Sequence, residues 1–95
     1  MLFEWDRQKA ENNLKKHRIS FVEACTVFTN PLSVIFDDDE HSIAERREII
    51  IGYSFNNRLL LVCFTERGKN IIRIFSARHA TKKERKIYEE KITYQ

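Results

Sequence analysis

One proline, two glycines and one tryptophan in 95 residues leave little to interrupt regular structure. So low a share of proline and glycine excludes collagen-like repeats and flexible linkers. The two cysteines, Cys25 and Cys63, lie inside apolar runs and form no C-x-x-C pair or His/Cys cluster. That leaves no zinc motif and predicts two reduced, buried thiols. The longest apolar runs, residues 49–51 and 59–64, fall far short of a membrane span. Glu4 and Asp6 stand where a secretory leader would carry basic residues, and no apolar stretch follows, so a cytoplasmic chain is expected. Residues 21–45 contain no lysine or arginine.

Hydrophobic residues at 42% and charged residues at 33% describe one small globular domain over residues 1–95, with a modest core. The net charge of +3 is unevenly spread. Residues 1–20 carry five basic and three acidic groups, residues 21–45 carry six acids, and residues 46–95 carry twelve basic and five acidic groups. A basic half beside an acidic segment fits a polyanion-binding surface, an acidic docking partner or a plain solvated surface.

The local signals are explicit. Residues 2–5 read as an edge strand and Asp6 as the N-cap of a polar helix over 7–17. Ser20 and Glu23 have capping-box spacing, with Ile19 as the staple, and Phe21, Ala24, Cys25 and Phe28 form one apolar helical face. Asn30-Pro31 stops that helix. Residues 33–37 read as a strand. Residues 37–41, Asp-Asp-Asp-Glu-His, read as a solvated loop, because they lack the alternation and the glycine of a calcium loop. From Glu45 the period becomes two, and Asn56-Asn57 makes a hairpin turn. Residues 59–65 form a central strand buried on both faces. Gly68 supplies a second turn, residues 71–77 a third strand, and residues 82–91 a last helix anchored by Ile87 and Ile92. The fold class is α+β: two N-terminal helices, an antiparallel sheet meander and a C-terminal helix, with the helices on one face.

Chemistry concentrates where the last strand meets the last helix. Strict alternation puts Arg73 with Ile71 and Phe75, opposite Ile72, Ile74 and Ser76. Thr81-Lys82-Lys83-Glu84 is a capping box, and the joint carries Arg78, His79, Lys82 and Lys83, with Arg85 beyond. Arginine binds phosphate bidentately at any physiological pH, although Arg73 also fits a surface residue snorkelling beside Phe75. RNA cleavage through the ribose 2′-OH needs a base, an acid and charge stabilisation, and no metal. Glu66, His79, His17 and Tyr88 are the available proton carriers. Trp5 suits core packing better than base stacking.

Several segments in order along the chain carry a resemblance. They are Phe3-Glu4-Trp5-Asp6 with Lys9, Asn13, Lys16-His17, residues 20–24, Val27-Phe28, Glu45-Arg46, residues 52–54, Thr65-Glu66-Arg67, residues 72–78, Ala80-Thr81 and Glu84-Arg85. Together they resemble the BrnT family of bacterial toxins over nearly the whole length. The resemblance implies a RelE-like fold and a metal-independent endoribonuclease, without a cofactor, that cuts RNA and halts translation. It also implies neutralisation by a BrnA-type antitoxin, through which alone operator DNA is bound. It puts Glu66, Arg67, Arg73, Ser76, Arg78 and Arg85 in recurrent positions. Arg78, Arg73, Glu66, Arg67 and His79 are the expected catalytic residues. Lys82, Arg85, Ser76, Lys9 and His17 are the expected RNA contacts. His79 and Phe75 depart from the pattern, which more often has a cation and an aliphatic residue there. A non-catalytic corepressor that acts only through its antitoxin is the alternative, and an inactivated decoy a third.

Overall fold

The structure, a computed structural model, describes residues 1–93. Strand β1 (Leu2–Trp5) leads into helix α1 (Arg7–His17) and helix α2 (Phe21–Val27). Strands β2 (Val34–Asp37), β3 (Glu48–Tyr53), β4 (Leu59–Arg67) and β5 (Ile71–His79) follow, and helix α3 (Lys82–Thr93) closes the described chain. A single 3-10 turn, Asp39–His41, lies between β2 and β3. The sheet order is β1-β5-β4-β3-β2. Strands β2 to β5 form the expected antiparallel meander, and β1 joins the edge of β5 in parallel, making the sheet mixed.

The helix starts follow from their caps. Asp6 accepts from the Lys9 amide at 2.9 Å, and Ser20 Oγ accepts from the Glu23 amide at 3.0 Å. Glu23 does not complete the box. Its carboxylate turns inward to Arg58, with Nε at 2.9 Å, and to the Ser54 hydroxyl at 2.6 Å. The turns fall at Asn57, Gly68 and Asn70, all with positive φ, which asparagine and glycine tolerate at least cost.

Alternation along β4 splits the core in two. Leu60, Val62 and Phe64 pack with Ile50, Ile72, Ile74 and Ala77 beneath Ile19, Phe21, Ala24 and Val27 of the N-terminal helical region. Leu59 and Leu61 face the other way and pack with Val34, Ile51 and Tyr88. Each fully buried Val, Leu, Ile or Phe among them contributes about 1.5–3 kcal/mol by leaving water. Helices therefore lie on both faces, α1 and α2 on one and α3 on the other. The expectation of a single helical face is corrected. The anchor of α3 is Tyr88, 1% exposed, with Ile92 beside it, while Ile87 is 43% exposed. Tyr88, one of the four candidate proton carriers, therefore has its phenol in this core, and burial raises its pKa. Phe55, which a period of two from Glu45 up to the Asn56-Asn57 turn would place on the strand, sits exposed in the hairpin turn. Cys25 and Cys63 are free and half-buried.

Strand β5 departs most from the simple reading. It runs two residues further than expected, so Arg78 and His79 belong to the strand. Its pairing with β4 also slips: Phe64 opposes Ile74, but the preceding residue, Cys63, opposes Ser76. Phe75 is the extra residue of a β-bulge. After it the alternation is inverted, so Ala77 follows Ile72 and Ile74 into the α1/α2 core. Ser76, expected opposite Arg73, is turned to the same face as Arg73.

Candidate functional site

Arg73 and Arg78 are five residues apart, and regular alternation would put them on opposite faces. The bulge at Phe75 puts them on one. Arg73 opposes Thr65 and Arg78 opposes Leu61, two positions of like parity on β4. Helix α3 covers this face only at the Leu59, Leu61 and Val34 end. Beyond that cover lie Arg73, Ser76 and Arg67, while Cys63 packs against the α3-side core and Thr65 is buried with its hydroxyl donating to the Arg46 carbonyl.

Carboxylates hold these cations in place. Glu4, directly across on β1, accepts from Arg73 at 2.7 Å and lies 4.0 Å from Arg67. Glu45 lies 3.9 Å from Arg67 and 4.0 Å from Arg47. Arg78 makes a two-pronged contact with Glu84, at 2.8 and 2.9 Å. Glu84 Oε1 also accepts from the Thr81 amide at 2.9 Å, and Thr81 Oγ1 accepts from the Glu84 amide at 3.1 Å. The capping box is complete, and it includes Arg78. Arg78, with burial opposing, pulls the Glu84 carboxyl down to about 2. Arg73 and Arg78 side chains remain 27% and 37% exposed, so the pairs border solvent.

Helix α1 runs along the part of β5 that β1 leaves uncovered, because β1 pairs only as far as Ile74. Lys9, Asn13 and His17 recur every four residues on α1. The Lys9 ammonium is 5.2 Å from the Phe75 ring centre. The Asn13 amide donates to Ala77 O at 2.8 Å and accepts from Ala77 N at 3.1 Å, replacing a strand partner. It also donates to Ile19 O at 2.9 Å. Burial first, then the charges of Lys16, Arg78 and His79, lower the His17 pKa. The match is geometric: four helical residues rise about 6 Å, close to the ~6.6 Å of two strand residues.

The expected site residues divide accordingly. Arg67, Arg73, Ser76 and Arg78 share the same sheet face, Arg78 at the margin of the end that α3 covers; Lys9, His17 and the exposed His79 flank its edge. Arg85 is tethered to the Tyr53 hydroxyl at 2.9 Å, and Lys82 is exposed in the first turn of α3. Glu66 is not among them. It opposes Ile72, whose side is the α1/α2 core, and borders a depression with Glu45, Arg46, Glu48 and Thr65. Trp5 packs edge-on against Phe21 at 5.8 Å, as core. In the acidic loop, donor atoms of Asp38, Glu40 and His41 lie within 4.8 Å of one another, with His41 Nδ1 3.0 Å from Asp38. The sequence reading missed Glu4, Glu45, Arg47 and Glu84 as parts of this surface. For Glu84 a signal was present, since its cap position follows closely on Arg78 near the end of a strand.

No helix among the described residues is long and apolar enough to cross a membrane. Residues 5–84 match a family described as ribonuclease toxin, BrnT, of type II toxin-antitoxin system. A search of curated proteins finds no significant match. Among solved structures, the crystal structure of the Brucella abortus ribonuclease toxin BrnT is similar, with a TM-score of 0.65 and 21% identity. The match covers 86% of this chain and all of that one, and at this identity it bears on the fold alone.

Proposed function

The chain belongs to the BrnT family of ribonuclease toxins of type II toxin-antitoxin systems, and from that premise we propose that the open sheet face cleaves RNA without a metal. The observation that carries this reading is the bulge at Phe75, through which Arg73 and Arg78 share one solvent-bordered face.

In the proposed reaction the ribose 2′-OH attacks the adjacent phosphorus and the bond to the 5′-oxygen breaks. A 2′,3′-cyclic phosphate and a 5′-hydroxyl result. Arg78 and Arg73 stabilise the extra negative charge of the pentacoordinate phosphate, a role suited to fixed guanidinium groups. Arg67, Ser76, Lys9, Lys82 and Arg85 hold neighbouring phosphates and sugars. His17, its pKa lowered toward the neutral form, takes the 2′-OH proton, and His79 supplies a proton to the leaving oxygen. Glu66 has no part in this scheme, because it faces away. Loss of intact messenger halts translation. A BrnA-type antitoxin neutralises the toxin, and operator DNA is reached only through it.

The test is growth arrest on induced expression, and cleavage of RNA by purified protein in excess chelator. Mass spectrometry should find cyclic phosphate ends, and Arg78→Ala should lose at least a hundred-fold in rate. An Arg78→Ala protein as active as the parent would overturn the assignment. The carboxylate pairing of both arginines favours a second reading, a corepressor that acts only by binding its antitoxin. Intact RNA after incubation with the purified parent, together with tighter antitoxin binding to DNA, would select that reading.

A further inference from the structure

Phe75 is a half-buried aromatic that packs with neither core. Its partners are cations. The Arg47 guanidinium lies 4.0 Å from its ring centre and the Lys9 ammonium 5.2 Å. These two groups come from distant parts of the chain, the approach to β3 and the first turns of α1, and both cation–π contacts found among the described residues fall on this one ring. A ring kept for packing would be covered by apolar side chains, with ordinary burial as its contribution. This one is carried on a bulge and walled by positive charge. It stands in the strand between Arg73 and Arg78, the two residues proposed to contact the scissile phosphate.

Resting on that proposed function, we infer that Phe75 and Arg47 form a nucleobase platform: one unpaired base of single-stranded RNA, next to the scissile phosphate, stacks on them. Aromatic rings and guanidinium planes are the two surfaces on which unstacked RNA bases are held. Arg47 lies over the ring, is 32% exposed and reaches Glu45 only at 4.0 Å, so the base rests on the outer face of its guanidinium, with Phe75 as the backing. Lys9 adds charge attraction for the backbone beside the base. Stacking tolerates any base, because every base has a π face. The platform therefore selects single-stranded RNA over duplex more than it selects sequence. It also orients the ribose whose 2′-OH must line up with the phosphate.

The experiment uses the full chain and an uncleavable 2′-O-methyl oligoribonucleotide carrying 2-aminopurine at each position in turn. A matching set carries an abasic residue instead. The parent should quench 2-aminopurine at one position and bind that oligonucleotide about ten-fold more tightly than its abasic counterpart. Phe75→Leu keeps the apolar bulk, should lose the quenching and the preference, and should bind the abasic oligonucleotide as the parent does. Phe75→Tyr should restore both. If Phe75→Leu fails to fold, Arg47→Gln should by itself reduce the preference. Undiminished quenching and preference in the folded variant overturn the platform, while cleavage by the parent would leave the proposed function standing. A parent that binds neither oligonucleotide overturns the platform, and one that also leaves RNA intact overturns both.

Discussion

Glu84 grips Arg78 with both carboxylate oxygens, at 2.8 and 2.9 Å, while capping α3 through the Thr81 amide. One side chain thus fixes the start of a helix and the position of a guanidinium on the neighbouring strand. The two tasks separate by mutation. Thr81→Ala removes the hydroxyl that caps the Glu84 amide and should cost about 1 kcal/mol, leaving the fork and RNA cleavage intact. Glu84→Gln keeps an acceptor for the cap but loses the charge. We expect a similar loss of stability and a much larger loss of cleavage rate, read from thermal melts and single-turnover assays. Equal effects of the two variants on cleavage would mean that Arg78 needs no holding.

Acid should unfold the protein through two particular carboxyls. Arg58 pulls Glu23 down to about 2, and Arg78 does the same to Glu84. A folded-state pKa below the unfolded value gives stability that is complete above about pH 4.5 and lost as pH falls toward 2. For the buried Glu23 the loss is about 3 kcal/mol at most; for Glu84, which borders solvent, it is smaller. Urea unfolding at stepped pH should show this fall. Glu23→Gln should flatten the slope between pH 4.5 and 2 while lowering stability at neutral pH. An unchanged slope would show that the Glu23–Arg58 pair does not couple to folding.

Asn13 is the strand partner that β5 lacks after Ile74. Its side chain makes three hydrogen bonds to backbone, all buried. Asn13→Ala leaves the Ala77 amide and two carbonyls without partners and should cost about 2–4 kcal/mol. Asn13→Asp has no donor to offer those carbonyls and should be no better at neutral pH. Hydrogen exchange at the Ala77 amide should speed up in both. Unchanged protection there would mean that the amide clamp is dispensable.

What was legible in the sequence is what is local. Asp6, Ser20, Asn57 and Gly68 each act within four residues of themselves, and the structure agrees with them. The bulge was not legible by alternation, since residues 70–80 contain no glycine or proline to mark it. Its trace is the spacing of the buried positions Ile72, Ile74 and Ala77, two and then three. Tyr88 lost to Ile87 because hydrophobicity ranks isoleucine higher, whereas the face of α3 is set by where β5 releases the chain. Glu23 was absorbed by a capping pattern, although its true partner, Arg58, lies 35 residues on. Glu66 reads as a proton carrier from its residue type and its recurrent position, and the hairpin does set its strand beside that of Arg73. Parity, not proximity, decides which face each one serves.

The pH dependence of cleavage should carry the signature of His17. Burial and the nearby charges of Lys16, Arg78 and His79 lower its pKa. As a general base it must be neutral, so kcat/KM should rise with pH along a limb below the usual imidazole range. Removing a neighbouring positive charge must raise that pKa. Lys16→Gln should therefore move the limb to higher pH with little change in the plateau, and His17→Gln should abolish it. A limb that stays in place in Lys16→Gln would assign the base elsewhere.

With Arg73 proposed to meet phosphate, its partner Glu4 becomes a competitor for the same guanidinium. The pair is short, 2.7 Å, but Glu4 is 39% exposed, so water weakens it. RNA binding must either break this pair or use the guanidinium edge it leaves free. Breaking it has a measurable signature. Glu4→Gln removes the competitor and should tighten binding of an uncleavable RNA several-fold. Arg73→Ala should weaken it and lower the slope of log affinity against log salt by about 0.7, the amount for one phosphate contact on a single strand. If the guanidinium keeps its grip on Glu4 and binds through its free edge, Glu4→Gln should instead loosen Arg73 and weaken binding. The sign of that one substitution decides whether the carboxylate is a placeholder for phosphate or a fixed support for the arginine that meets it.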